Sequence, residues 1–382
     1  MKYLFYITIV AAILFEVANV FFIMPLPGSQ EIESIGIAYF LYRWRWIFRA
    51  GLLGLAALGL WGSRWSIRWI PLVAVAVWAG VAYLFNFDMA ADHMFYQPRQ
   101  VLMQPAADNQ VDSSRLVIGV EIAGEARAYP IQFIGYHHQV LDTLAGKPIM
   151  ITYCTVCRSA RVFEPVVDGR QETFRLVGMD HFNAMFEDQT TGSWWQQATG
   201  EAIIGLRAGA VLPEVPSTQM RLHQWLALHP ESLVMQPDTT FAEAYDNMKN
   251  YESGQGKSDL TRTDSLSWQR KSWVVGIQTG GAAKAFDWNR LQTERIINET
   301  VGATPVVIVV AADSQSFAAF ERPSATAIFS LRHDTLVSGD QMYTLAGQPL
   351  PPNSLTPALT PITAYQEFWH SWLTFHPLTM QY

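Results

Sequence analysis

Apolar length is the first constraint on this chain. Residues Tyr3 to Met24 read YLFYITIVAAILFEVANVFFIM, an apolar run interrupted by Glu16. A bilayer is crossed by about 20 mostly apolar residues, and as a helix, because lipid offers the backbone no hydrogen-bond partners. Two further runs follow, roughly Trp46 to Trp61 and Trp69 to Phe85. They are shorter, but their flanking tryptophans suit the membrane interface. The expectation is three transmembrane helices within residues 1–86. The first run is read as retained: its apolar core exceeds the roughly 7–15 residues of a secretory leader, and no small-residue cleavage site follows in FFIMPLPGSQ. Glu16 is read as a carboxylate facing a neighbouring helix.

Basic residues set the expected orientation. Arg64 and Arg68 lie between the second and third runs, so that loop and Lys2 are placed in the cytoplasm. Everything after Phe85 then lies outside, in the periplasm of a multi-pass cell-membrane protein. Arg43, Arg45 and Arg49 fall at the outer face in this reading and suit an interfacial helix. Residues 1–85 carry a net +3 while the whole chain carries −7, which leaves −10 on the remainder. An acidic globular part argues against nucleic acid. The expected partners are membrane lipid and a second membrane protein.

The globular part repeats itself. VIGVEIAGEARAYPIQFI begins at Val117 and VVGIQTGGAAKAFDWNRL at Val274, and the match runs without a gap to Glu164 and Glu321. Identical pairs include Gly119/Gly276, Ala128/Ala285, Pro148/Pro305 and Phe163/Phe320. Later, WLALHP at Trp225 answers WLTFHP at Trp372. Two copies of one unit are inferred, about 114–236 and 272–382. Alternating runs such as LVIGVEI and KPIMITY read as strands. VDGRQ reads as a type I′ hairpin, and TQMRLHQWLALHP as a helix ending before Pro230. The fold class is α+β, a β-rich duplicated domain preceded by three transmembrane helices. Its parts are a membrane domain at 1–86, a first repeat at 87–250, a polar connector at 251–271 and a shortened second repeat at 272–382.

The copies differ where chemistry would sit. Cys154 and Cys157 answer to Ala311 and Ser314, and His137 and His138 to Glu294 and Arg295. The second copy also lacks about nineteen residues near GMDHFNAMFEDQTTGSWWQQ, 178 to 197. Packing residues should persist in both copies, so features of the first copy alone are the better candidates for chemistry.

These residues resemble the domain-of-unknown-function family numbered 3179. Its pattern is met by Ala128-Tyr129-Pro130, His137 with Asp142, Tyr153-Cys154 with Cys157, and then Asp188, Thr191, Ser193, Trp195, Gln197 and Gly200. FWHSWLTFHP is similar to the family's C-terminal pattern, and the likeness covers roughly residues 95 to 382. Thr155 stands where the family usually has Pro, and His138 where it usually has Glu. Many members carry a signal peptide or single anchor instead of three spans. The resemblance implies a motif map and no reaction.

Both cysteines of the chain sit in the Cys-x-x-Cys of ITYCTVCRSARVF. Haem attachment needs a His next, and Arg158 follows instead. Structural zinc usually needs four ligands, often from a second such pair, and the chain has no further cysteine. A disulfide or redox pair, a metal site and a pair of inert buried thiols stay open. In a straight strand, residues i and i+3 face opposite sides, so the thiols converge only if the chain turns after Tyr153. Arg158 beside the pair is expected to lower a thiol pKa. Two thiolates and an imidazole suit copper(I), which selects Cys154, Cys157, His181 and His137, with Met179 as a weak extra ligand. The function read from this is a membrane-anchored extracytoplasmic protein with a copper-type or thiol-redox site. The alternatives are a non-catalytic module binding a small molecule or glycan near Tyr129, Trp195, Gln197, Asp188 and Arg158, or an accessory subunit of a membrane complex. The plainer reading of Asp188 with Thr191 is a cap on the turn DQTTG.

Overall fold

In a computed structural model of the chain, which describes residues 1–65, 69–256, 258–352 and 355–382, the protein is mixed α+β with many small sheets. It divides into two compact units. One comprises Met1–Tyr96, Glu172–Gln196 and Glu201–Val211; the other comprises Gln97–Gln171, Gln197–Gly200 and Leu212–Tyr382.

The first unit is built on helices Lys2–Phe21, Ile35–Arg43, Arg45–Trp61 and Trp69–Tyr83, the last prolonged by a π turn to Asp88. Among the described residues, two segments are long and apolar enough to cross a membrane, Lys2–Phe21 and Trp69–Asp88, each of 20 residues. The expected third span is corrected: Arg45–Trp61 has 17 residues, about 25 Å of helix against a hydrocarbon core of about 30 Å. That helix runs antiparallel to the first. Gly59 meets Phe5 so closely that a Cβ there would lie 2.7 Å from the Phe5 nitrogen, the small-residue contact by which apolar helices approach. At the other end Arg49 Nε and Nη2 donate to Glu16 Oε1 and Oε2 at 2.9 and 2.7 Å. Asn86 Nδ2 also donates to Glu16, at 2.9 Å. Glu16 does face a neighbouring helix. Arg49 therefore belongs to a helix pair, whereas Arg43 ends a separate nine-residue helix. Arg68, used in the orientation argument, lies outside the described residues.

The same unit holds a four-stranded antiparallel sheet in the order Ala202–Ile204, Trp194–Gln196, Asn183–Asp188, Phe174–Asp180. Trp194 is buried among Val20, Ile23, Met24, Ala38, Val177 and Met185, with the rings of Tyr39 and Tyr42 at 5.0 and 5.3 Å. Residues 178–196 belong to this unit.

The second unit contains two hairpins of similar geometry. Leu116–Ile122 pairs with Glu125–Pro130, and Trp273–Thr279 with Ala282–Asp287, in matching registers: Val117 opposes Pro130, and Val274 opposes Asp287. A seven-residue helix follows each hairpin, Ile131–His137 and Trp288–Glu294. Each ends in a left-handed residue, His138 at φ 60° and Arg295 at φ 63°, and leads into a three-stranded antiparallel sheet. Trp225 donates from Nε1 to Ser232 Oγ at 2.7 Å, and Trp372 to Thr379 Oγ1 at 2.8 Å. Gly119 and Gly276 each lie under one of these indoles, where a Cβ would come within 2.2 Å of ring carbon. In VDGRQ both Asp168 and Gly169 have positive φ, as a type I′ turn requires. The TQMR that was expected to be helical is instead strand Thr218–Arg221, paired with Leu116–Ile122; the helix is Leu222–Leu228. Within residues 251–271, Tyr251, Glu252 and Lys271 are buried.

The Glu16–Arg49 pair yields a stability prediction. Arg49→Ala leaves a carboxylate that is 1% exposed without its cation, at a cost of about 3–5 kcal/mol. The paired change Glu16→Gln with Arg49→Gln should cost clearly less. Thermal unfolding of the full chain in detergent compares the two; equal losses would contradict this account.

Candidate functional site

The cysteines close a hairpin. Strand Lys147–Cys154 pairs with Ser159–Phe163, with Cys154 opposite Ser159. Residues 155–158 form the turn between them, and Arg158 adopts a left-handed φ of 57°. The chain turns one residue later than the sequence suggests, which still brings the thiols together. They hydrogen-bond to each other, are not joined by a disulfide, and are both fully buried.

Buried carbonyls of a turn need donors from elsewhere, and this turn takes them from far along the chain. Tyr251 Oη donates to Thr155 O at 2.8 Å. Lys271 Nζ donates to Val156 O at 3.4 Å, and His370 Nε2 lies 3.2 Å from the same oxygen. The Phe368 nitrogen donates to Cys157 O at 2.8 Å. The thiol of Cys157 also hydrogen-bonds the hydroxyl of Ser371, which donates to Glu367 Oε2 at 2.5 Å. Glu367 in turn accepts from Arg161 Nη2 at 2.8 Å in an ion pair whose side chains are 1% and 3% exposed.

Burial decides the electrostatics. It pushes the Cys157 thiol well above its ordinary value, helped by the contact with Cys154 and opposed by Ser371. Burial pushes Lys271 down to about 8, against the pull of Cys157 and Cys154. The expected lowering by Arg158 is therefore corrected. Its guanidinium lies 3.6 Å from the Trp273 ring centroid and donates to the Glu252 carbonyl at 3.0 Å. Desolvation of the sulfur outweighs its charge.

The other expected residues are placed as follows. His137 is buried, with Nε2 2.7 Å from Tyr245 Oη and its ring against Phe241 at 5.0 Å. Tyr129 is buried and donates to Asp142 at 2.7 Å. Gln197 donates to Thr152 Oγ1 at 3.0 Å and accepts from Ser159 Oγ at 2.8 Å. His181, Met179, Asp188 and Trp195 belong to the other unit. There His181 Nδ1 lies 2.9 Å from Asp180 Oδ1, and the Met179 nitrogen donates to Ile23 O at 2.7 Å. Trp195 Nε1 donates to Asp188 Oδ2 at 2.9 Å, and Thr191 donates from N and Oγ1 to Asp188 Oδ1, so Asp188 does cap its turn. Among the described residues, no group of three or more His, Cys, Asp or Glu is placed to hold a metal ion.

The sequence reading missed Tyr251, Lys271, Glu367, His370 and Ser371. A signal was present. Counting back from Trp372 to Trp225, Glu367 answers to the apolar Met220, a charged group of the later stretch alone. Comparing the two stretches in that direction would have found it.

A family profile described as Protein of unknown function (DUF3179) matches residues 97–379. No curated protein and no solved structure matches the chain.

The buried imidazoles predict acid sensitivity. Burial holds His138 and His370 at about 4, against an ordinary 6.5. The unfolded chain then binds more protons than the folded one between those values, so stability falls as pH drops from 6.5 towards 4. A shift of that size amounts to about 3 kcal/mol per imidazole. His370→Gln should flatten the fall in Tm between pH 7 and pH 4.5; an unchanged slope would refute the assignment.

Proposed function

We propose, for a chain that belongs to the DUF3179 family, that Cys154 and Cys157 form a buried dithiol–disulfide redox site in a membrane-anchored protein. In this reading the globular part lies outside the cytoplasm, where a disulfide persists. The observation that carries it is the contact of two fully buried thiols across one turn. Oxidation forms the Sγ–Sγ bond, releases two protons and passes two electrons to an external acceptor. Lys271, whose ammonium interacts with both sulfurs, stabilises the thiolate that must form first. The stretches 114–236 and 272–382 are read as two copies of one unit, supported by their matching registers and indole–glycine contacts. The second copy then holds the turn that the first copy carries.

One observation also favours a copper reading. Two adjacent thiolates suit copper(I) without further ligands, since soft sulfur selects it. His181 does not enter that reading, because its Nδ1 is engaged by Asp180. The binding-module reading has less support. The side-chain polar groups of Tyr129, Trp195 and Gln197 are already hydrogen-bonded within the protein. The Glu16–Arg49 pair is likewise satisfied inside the chain, which gives no separate reason for a membrane-protein partner.

Thiol counting with metal analysis separates these readings. The reduced full chain should show two thiols after denaturation and none after mild oxidation, with the mass lower by two hydrogens. Cys154→Ser should abolish that change. One copper(I) per chain, lost in Cys154→Ser, would favour the metal reading. No oxidation and no copper would leave inert buried thiols. Lys271→Met should move the pH midpoint of thiol alkylation upward, whereas a purely structural lysine would leave it in place.

A further inference from the structure

The first unit contains a cavity of about 440 Å³ where the C-terminal ends of both membrane-length helices meet. Val20, Ile23 and Met24 line it from one helix, and Phe85, Asn86 and Met89 from the other. Asn19 also lines it. This side chain is 5% exposed, and its Oδ1 is buried without a hydrogen-bond partner. A buried amide oxygen left unpaired is costly, and in a native site it asks for an explanation. The neighbouring Asn86 does not supply one, because its amide is spent on Glu16, Arg49 and Ala82.

The charges around the cavity are nearly balanced. Arg175 is paired with Asp92 at 3.1 Å and with Glu187 at 2.7 Å. Arg45 donates from Nη1 to Tyr42 O at 2.6 Å and stacks on the Tyr42 ring at 3.8 Å. A guanidinium carries five N–H donors, so Arg45 can serve another acceptor. A phosphate headgroup would meet Arg45 beside the carboxylates of Asp92 and Glu187. A neutral head suits the site better, and the apolar wall at the helix ends suits a lipid-soluble molecule.

We propose that this cavity binds the head of a membrane-soluble quinone or quinol, with one ring oxygen at Asn19 and another reached by Arg45. The oxygen accepts a hydrogen bond as the quinone and donates one as the quinol. The unpaired atom of Asn19 is its carbonyl oxygen, an acceptor, so it is the donating quinol that answers it. Tyr42 and Phe85 supply flat aromatic surface for the ring. The proposal stands without the thiol reading. A quinone nevertheless belongs to the class of acceptor that reading needs: dithiol plus quinone gives disulfide plus quinol, with two electrons and two protons transferred.

Equilibrium dialysis of the full chain in detergent under reducing conditions, with a short-tailed benzoquinone kept as its quinol as probe, tests the idea. Short-chain phosphatidylglycerol and phosphatidylethanolamine are the competitors. Saturable binding at one quinol per chain is expected. Asn19→Leu should weaken it roughly five- to tenfold, the worth of one buried hydrogen bond, without lowering Tm. Ala90→Trp, which fills the cavity, should abolish it; this second variant decides the matter if Asn19→Leu folds poorly. No saturable quinol binding, equal affinity in both variants, or tighter binding of either phospholipid would overturn the proposal.

Discussion

The buried pair of Arg161 and Glu367 is the tie on which the cysteine turn depends. It fastens strand Ser159–Phe163, on which the turn closes, to strand Ala364–Phe368, which delivers the Phe368 nitrogen to the Cys157 carbonyl. Taking two charges out of water is unfavourable unless each is fully partnered. Here Arg161 also donates to Ala198 O and stacks on Tyr365 at 3.5 Å, and Glu367 also accepts from Ser371. Such a network tolerates little displacement. A turn held at Thr155, Val156 and Cys157 by residues up to 214 positions away is therefore a fixed frame for two sulfurs.

Much of the local structure was legible because its causes are local. The first apolar run became a helix, Asp168-Gly169 became a tight turn, and the cysteine pair fell at the end of a strand, close to where period and turn chemistry put them. The thiol environment was not legible, for two physical reasons. Its donors come from the connector and from the second stretch, which a search confined to the first copy passes over. Its electrostatics follow burial, which no spacing rule supplies, so Arg158 looked like an activating cation and proved to be an aromatic-stacked one. The span between residues 45 and 61 was misjudged for a simpler reason: a tryptophan-flanked apolar run was counted as a crossing without asking whether its length reaches across hydrocarbon.

The insert that distinguishes the first stretch has a different meaning from the one its sequence suggested. Residues 178–196 carry Met179 and His181, which made them look like ligands. Yet they form half of the sheet in the unit that also holds the membrane-length helices, with Trp194 in its core. The additional residues supply packing surface, and the polar groups among them are engaged by neighbours of that same unit.

The antiparallel pairing of Lys2–Phe21 with Arg45–Trp61 fixes a parity. Phe5 lies level with Gly59 and Trp65, while Glu16 lies level with Arg49 and Asn86. Met1 and the turn at Gly62 thus share one end of the helical bundle, and the chain leaves for its globular portion from the other. The two membrane-length helices therefore both finish, at Phe21 and Asp88, towards the end that carries Glu16, Arg49 and Asn86.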